Sequence, residues 1–182
     1  ALPMFAEHFA RMFPGHELAV ASPDVGGIKR AQLFREFLAR RLDKEVELAF
    51  VEKRRTGGVV SGGTIVGNVA GRTVIVLDDL CATGGTLLRA AAGLSEAGAR
   101  SVHVAVTHAP LAAGLAAVVA TNSIAGIVVT DSVGSALHGL LPSRHLQLTI
   151  LPVAPLYAQA VMRIVRGAPL APLLERWPPA DL

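Results

Sequence analysis

Val74-Ile-Val-Leu-Asp-Asp-Leu-Cys-Ala-Thr-Gly-Gly-Thr-Leu87 is the stretch around which the rest of the chain is read. Four apolar residues, Val74 to Leu77, predict a buried strand. From Thr86 onward Leu87, Leu88, Ala90, Ala91, Leu94 and Ala97 recur three and four apart, which predicts a helix. The segment between is a strand-to-helix turn. Thr83, Gly84, Gly85 and Thr86 offer backbone N–H groups and two hydroxyls to an anion on the positive end of that helix, and the glycines let the backbone come close. Asp78 and Asp79 repel a phosphate but suit ribose hydroxyls or a hydrated Mg²⁺. Two carboxylates at the end of a buried strand are costly unless they bind something. A strand, an acid pair and a glycine-threonine loop in this order describe a sugar-phosphate site.

Working outward, Leu18 to Ser22 is a short strand, Pro23-Asp-Val-Gly-Gly27 a turn, and Ile28 to Leu42 a helix. Ile28, Ala31, Phe34, Leu38 and Leu42 form its apolar stripe, and most of its charges lie off that stripe. Asp24 ends its strand as Asp78 does, so in a parallel sheet both lie at the carboxyl edge, where open α/β folds bind ligands. The other reading of Asp24 is a helix N-cap or turn residue. Val46 to Val51 predicts a strand that delivers Glu52-Lys-Arg-Arg55 into Thr56-Gly-Gly-Val-Val-Ser-Gly-Gly63. Four glycines there predict a mobile loop, with Thr64 to Val69 as the returning strand. Basic residues at the root of such a flap suit a lid over phosphates.

Beyond the central loop, Ser101 to Thr107 predicts a strand, His108-Ala-Pro110 a turn, Leu111 to Val119 a short helix, and Ile127 to Thr130 and Leu146 to Leu151 two more strands. His103 and His108 read as core or turn residues. A helix through Arg166 follows Pro152, with more apolar positions (Leu156, Ala160, Val161, Ile164, Val165) than one stripe needs. The apolar tail from Pro169 to Trp177 is expected to dock on another surface.

The 182 residues are 52% hydrophobic and 17% charged, enough for a full core of the α/β layer type. No apolar run has the length of a membrane span free of charge or Pro, and the start has no signal-peptide layout, so a cytoplasmic location and no membrane partner are expected. One cysteine, Cys81, rules out an intramolecular disulfide. The net charge of +3 concentrates at Lys29-Arg30 and Lys53-Arg54-Arg55 beside glycine-rich segments, without interleaved aromatics, which speaks for small phosphorylated ligands and against nucleic acid.

The acid pair and Thr-Gly-Gly-Thr loop resemble the fingerprint of the phosphoribosyltransferase family, which implies an α/β fold with a mainly parallel sheet flanked by helices, the type I phosphoribosyltransferase fold. Ser-Pro-Asp-Val-Gly-Gly-Ile-Lys-Arg-Ala (22–31), Glu-Lys-Arg-Arg (52–55) and Asp-Asp-Leu-Cys-Ala-Thr-Gly-Gly-Thr (78–86), in this order, resemble the C-terminal half of the ribose-phosphate pyrophosphokinase family. That resemblance implies transfer of pyrophosphate from MgATP to ribose 5-phosphate, with Mg²⁺ as cofactor and a homo-oligomeric protein. It implies that Lys53 and Arg55 stabilise charge on the transferred phosphoryl groups. It further implies that Asp78, Asp79, Ala82, Thr83, Gly84, Gly85 and Thr86 bind ribose 5-phosphate and that Asp24 helps hold Mg²⁺. Most members of that family have Asp where this chain has Ala82, the form common in base-using phosphoribosyltransferases. The resemblance places the adenine pocket and a metal-binding His in an N-terminal half, so this chain alone is expected to have little pyrophosphokinase activity, and residues 153–182 are expected to dock on that half or on another subunit. The alternatives are a phosphoribosyltransferase that uses phosphoribosyl pyrophosphate and a nucleobase, and a non-catalytic sugar-phosphate-binding subunit.

Overall fold

The computed structural model describes residues 1–56, 59–110, 112–133 and 146–178, with side chains throughout except at 53–56, 59–62 and 112. Chain order is α1 (Leu2–Met12), β1 (Leu18–Ser22), a 3₁₀ turn (Val25–Gly27), α2 (Ile28–Leu42), β2 (Glu47–Thr56), β3 (Val59–Val66), β4 (Thr73–Leu80), α3 (Gly85–Glu96), β5 (Ser101–His108), α4 (Ala112–Val119), β6 (Gly126–Thr130), β7 (Gln147–Leu151), α5 (Ala154–Val165) and α6 (Ala171–Glu175). The strands form one sheet in the order β3-β2-β1-β4-β5-β6-β7. Every neighbouring pair is parallel except the β2–β3 hairpin.

This order has a switch point. From β1 the chain crosses through α2 to β2 on one side, and after β3 it returns to β4 on the other, so the carboxyl ends of β1 and β4 part around a crevice. Ligands of open α/β sheets bind in such crevices. The two acidic segments lie at its rims, Asp24 after β1 and Asp78-Asp79 at the end of β4.

Alternation along the strands feeds two cores. Val74 and Val76 of β4 join Val104, Val106, Ile127 and Val129 beneath Leu87, Ala91 and Leu94 of α3 and Leu115 and Val118 of α4. Ile75 and Leu77 face the other way, into Phe5, Phe9, Phe34 and Leu38 of α1 and α2. Each fully buried Phe or Leu contributes about 1.5–3 kcal/mol. Because side chains alternate, the two acids that follow are dealt to opposite faces, Asp78 toward α3 and Asp79 toward α2.

The expected mobile glycine loop at 56–63 is instead largely strand. β3 begins at Val59, and its residues pair antiparallel with β2, Lys53 opposite Gly63 and Arg55 opposite Val60. Glycine serves close approach here, since a Cβ on Gly63 would lie 2.3 Å from Cγ1 of Val51. The returning strand correspondingly ends at Val66, and Gly67 follows at φ +111°. The loop's Gly57 and Gly58 lie outside the described residues.

At the C-terminus, α5 buries none of its residues, and Val161, Ile164 and Val165 are well exposed. The segment after it turns back onto the chain's own first helices. Leu173 is buried, and the Trp177 carbonyl accepts a hydrogen bond from Arg41, which also pairs with Glu7 of α1. Among the described residues no helix is long and apolar enough to cross a membrane.

Candidate active site

The loop Cys81–Gly84 hangs between β4 and α3 with its backbone anchored from below. The Cys81 N–H donates to the carbonyl of His108, the last residue of β5, at 2.8 Å. Gly84 is left-handed, φ +75°, and a Cβ there would stand 2.6 Å from the Gly114 carbonyl oxygen. A Cβ on Gly114 would in turn lie 2.1 Å from the Ala82 carbonyl oxygen. The backbone of α4 therefore lies directly against the loop, and only glycine on each side permits it.

Gly84 is the N-cap of α3, and no side chain caps that end. The first intrahelical bond runs from Leu88 N–H to the Gly84 carbonyl, 2.9 Å, so the N–H groups of the turn before it have no helical acceptor. A cavity of about 100 Å³ opens beside them, lined by Asp78, Leu80, Cys81, Ala82, Thr83, Gly84, Thr86 and Leu87. That volume suits a phosphate rather than a nucleotide. The groove of about 520 Å³ between α2 and β2 is larger but far from this chemistry, and its walls alternate Arg35, Arg40 and Lys44 with Glu36, Glu45 and Glu47. Arg89, one turn into α3, places its guanidinium 3.5 Å from the Thr86 hydroxyl and adds positive charge at the mouth.

The acids are bound together. Asp79 N–H donates to Oδ1 of Asp78 at 2.8 Å, and Arg30, from the first turn of α2, reaches both carboxylates. Its Nη1 is 3.5 Å from Asp78 Oδ1 and its Nη2 2.8 Å from Asp79 Oδ2. Burial, then the hydrogen bond and negative charge of Asp79, push Asp78 up to about 6. Burial opposes ionisation of Asp79 as well, but the hydrogen bond from Asp78 and the Arg30 charge outweigh it and hold Asp79 below its ordinary value. One proton thus belongs to Asp78 in mildly acidic solution. Burial and the neighbouring Asp78 charge raise the Cys81 thiol, so Cys81 is a packed wall of the loop and not an activated nucleophile.

Asp24 caps the 3₁₀ turn, its Oδ1 accepting from Gly26 N–H at 3.0 Å and Gly27 N–H at 3.3 Å. The N-cap geometry anticipated for it is what forms. Ser22 is buried beneath and donates to the Asp24 carbonyl at 2.6 Å, and a Cβ on Gly27 would meet its hydroxyl at 2.5 Å. No group of three or more His, Cys, Asp or Glu side chains is gathered for a metal among the described residues.

Of the residues singled out from sequence, Asp78, Ala82, Thr83, Gly84 and Thr86 line one cavity, Gly85 follows in the same turn, Asp79 stands beside Asp78 on the opposite face of the strand, and Asp24 lies across the switch-point crevice. Lys53 and Arg55 lie on β2, next to β1 in the sheet, and their side chains are outside the described set. Sequence reading missed Arg30 and Arg89 as site residues. Arg89 had a signal, its i+3 spacing from Thr86. His108, expected in a turn, is the last residue of β5, and its Nδ1 is 2.8 Å from the Ser132 hydroxyl, itself within 3.1 Å of the Thr107 carbonyl.

The phosphoribosyl transferase domain family model matches residues 4–121. The chain belongs to that family, and its sheet and flanking helices are the type I phosphoribosyltransferase fold. Within this class it is similar to ribose-phosphate pyrophosphokinases, as the motifs suggested. The protein of that name from Granulibacter bethesdensis is 39% identical over 176 residues, covering 96% of this chain and 54% of its own length. The one from Cereibacter sphaeroides is 39% identical over 178 residues, 95% of this chain and 50% of its own. The crystal structure of phosphoribosylpyrophosphate synthetase from Mycobacterium smegmatis superposes with a TM-score of 0.76 at 29% identity, over 92% of this chain and 51% of that one. The chain thus spans about half the length of these relatives.

Proposed function

We propose that this chain carries the ribose 5-phosphate site of a ribose-phosphate pyrophosphokinase, which transfers pyrophosphate from MgATP to the C1 hydroxyl of ribose 5-phosphate. The observation that carries this reading is the uncapped N-terminus of α3, with its glycine loop held against α4 and a paired carboxylate two residues ahead of that loop at the sheet's switch point. The 5-phosphate takes the N–H groups from Thr83 to Thr86, and the ribose hydroxyls reach the carboxylates of Asp78 and Asp79. The C1 hydroxyl oxygen then forms a bond to the β-phosphorus of ATP, the bond from that phosphorus to the α,β-bridging oxygen breaks, AMP leaves with that oxygen, and the hydroxyl proton is released to solvent. Lys53 and Arg55, on the strand at the far side of the crevice, supply positive charge to the phosphoryl oxygens. Positioning and electrostatics do most of the work in such transfers.

The donor set fits a Mg²⁺ ion. Asp24, Asp78 and Asp79 are hard oxygen ligands too few for a full protein cage, which suits an ion that keeps several waters and binds through one or two carboxylates and substrate phosphates. When bound, it neutralises charge on the phosphates of ATP. Asp24 is the residue we assign to hold it, through its hydration shell.

Calorimetric titration of ribose 5-phosphate into the chain with Mg²⁺ present tests the reading, with ribose and inorganic phosphate as separate controls. Binding of ribose 5-phosphate tighter than either control supports it. No binding of ribose 5-phosphate or of phosphoribosyl pyrophosphate overturns it. Release of pyrophosphate from phosphoribosyl pyrophosphate on adding a nucleobase would reassign the chain to the base-using phosphoribosyltransferases. For the chain alone, AMP release from MgATP and ribose 5-phosphate is expected to be far slower than about one per second, within the ordinary enzyme range.

A further inference from the structure

Arg89 lies where its own helix disfavours it. From one turn into α3 it leans back over the first turn, so that a Cβ on Gly85 would lie 3.2 Å from its Nη1, and its Nη2 stands 3.5 Å from the Thr86 hydroxyl. A guanidinium there meets the positive end of the helix dipole, where an anion is favoured and a cation is not. No acid offsets it. The first turn of α3 carries none, the sequence from Leu80 to Ser95 has none, and Arg89 pairs with no carboxylate among the described residues. Of the side chains that line the adjoining cavity only Asp78 is acidic, and Arg30 and the Asp79 N–H already engage it. A cation without a counter-ion and helix N–H groups without acceptors therefore share one edge, and a single bound anion satisfies both.

We propose that Arg89 is the charge-reading residue of this cavity: it reaches the outer oxygens of a phosphate seated on the Thr83–Thr86 turn and makes the site prefer a dianionic monoester to a monoanionic ester. The N–H groups of the turn fix where an oxygen sits, with partial charges only. The guanidinium brings a full charge, whose attraction grows in proportion to the charge of the anion, and its planar fork spans two oxygens at once. A phosphate monoester carries two negative charges above about pH 6, whereas a sulfate ester or a phosphate diester carries one. The site is thereby matched to a phosphate that ends a molecule rather than one that links two parts of it. That the phosphate belongs to a sugar rests on the reading proposed above; the preference for its charge does not.

Titration calorimetry at about pH 8, where the second phosphate proton is gone, compares ribose 5-phosphate with ribose 5-sulfate, the same sugar with one charge less. Losing the guanidinium on a partly solvated edge is expected to weaken ribose 5-phosphate about tenfold in Arg89→Gln. The sulfate ester has half the attraction to lose and is expected to weaken about threefold, so the preference for phosphate narrows about threefold. Arg89→Lys keeps the charge and is expected to retain most of the preference. The ligand-free Arg89→Gln chain should melt no lower than the parent, since a cation at the positive helix end is removed. A merely structural role would instead lower the melting temperature and weaken both esters alike. Unchanged ribose 5-phosphate binding in Arg89→Gln, equal losses for the two esters, or Arg89→Lys no better than Arg89→Gln overturns the proposal. Inorganic phosphate, followed by the backbone amides of Thr83 to Leu87, separates it from the functional reading. If the parent binds inorganic phosphate there about tenfold better than Arg89→Gln but does not bind ribose 5-phosphate, the sugar reading falls and the charge-reading role stands. A parent that binds none of the three overturns both.

Discussion

The two edges of the sheet both carry polar clusters, and they are built on different terms. At the amino edge, Thr73 is buried, its hydroxyl 3.1 Å from His16 Nδ1 and 3.2 Å from the Ser101 hydroxyl that donates to it. His103 is buried next to them with its ring 4.7 Å from that of Phe13, edge on. Thr73 bonds both of its polar neighbours, and the Phe13 ring packs against both histidines. At the carboxyl edge the acids are joined through a backbone N–H, lean on an arginine from another element, and face a helix end that no side chain caps. Polar groups that satisfy one another secure the fold; polar groups left with unspent hydrogen-bonding capacity and unbalanced charge form a site.

The strongest way to break this contrast is through the hairpin strand that carries the residues proposed for phosphoryl stabilisation. In a form of the protein that shows pyrophosphokinase turnover, Lys53→Ala is expected to lower kcat about a hundredfold or more, on the scale of lost transition-state charge stabilisation, with little change in sugar-phosphate affinity. Steady-state kinetics read this directly, and an equal loss in binding with none in turnover would move Lys53 to ground-state recognition. No substitution at the amino edge should act this way.

Next come the glycines that hold each edge. In Gly114→Ala the new methyl is forced onto the Ala82 carbonyl, so the loop must shift, and sugar-phosphate affinity is expected to fall by about tenfold or more, with a stability loss of about 1–3 kcal/mol. In Gly126→Ala the Cβ would lie 2.7 Å from His103 Nδ1, at the opposite edge. A comparable stability loss is expected there with binding unchanged. Paired thermal melts and titrations of the two variants sharpen the comparison, and a binding defect in Gly126→Ala would erase it.

How far the sequence carried this picture differs by region. The strand, acid pair and loop at 74–87 were legible because strand burial, carboxylate cost and glycine freedom are local properties. α2 was legible to the residue, since its apolar stripe begins after Gly27 and ends where Asp43 turns left-handed at φ 51°. The flap was misread because a glycine run has two physical meanings, freedom or close approach, and the choice at Gly63 lies in Val51 across the hairpin. Arg30 was visible as a charge but not as a partner of the acids. Its reach depends on β1 lying beside β4, with Ala21 in register with Val76, a fact of topology rather than of local pattern.

A smaller effect separates the edges by sign. Asp78 titrates at about 6 in the folded chain instead of its ordinary 3.8, so folded protein retains a proton that unfolded chain has released. Its contribution to stability is complete below that ordinary value and is lost as pH rises through about 6. His103, pushed to about 4 from 6.5 by burial and then by the charge of His16, does the reverse: its contribution is complete above 6.5 and is lost as pH falls through about 4. Each effect is expected to amount to at most about 3 kcal/mol across the window, less where solvent screens the group. Denaturant unfolding against pH should show the falling limb flattened in Asp78→Asn and the acid limb flattened in His103→Gln. Slopes unchanged in both variants would refute these assignments. Sugar-phosphate binding should also lose part of its pH dependence in Asp78→Asn. The second ionisation of the phosphate, near pH 6, is common to both proteins and cancels in the comparison.

The central claim, that a sugar phosphate sits on the N-terminus of α3 beside the acid pair, is met most directly by a nuclear magnetic resonance titration of the isotope-labelled chain with ribose 5-phosphate and Mg²⁺. The account predicts saturable shifts of the backbone amides from Thr83 to Leu87 and of Asp79, with the amides of Thr73, Ser101 and His103 unmoved. Loop amides that stay in place at millimolar ribose 5-phosphate, or shifts centred on the amino edge, would contradict it.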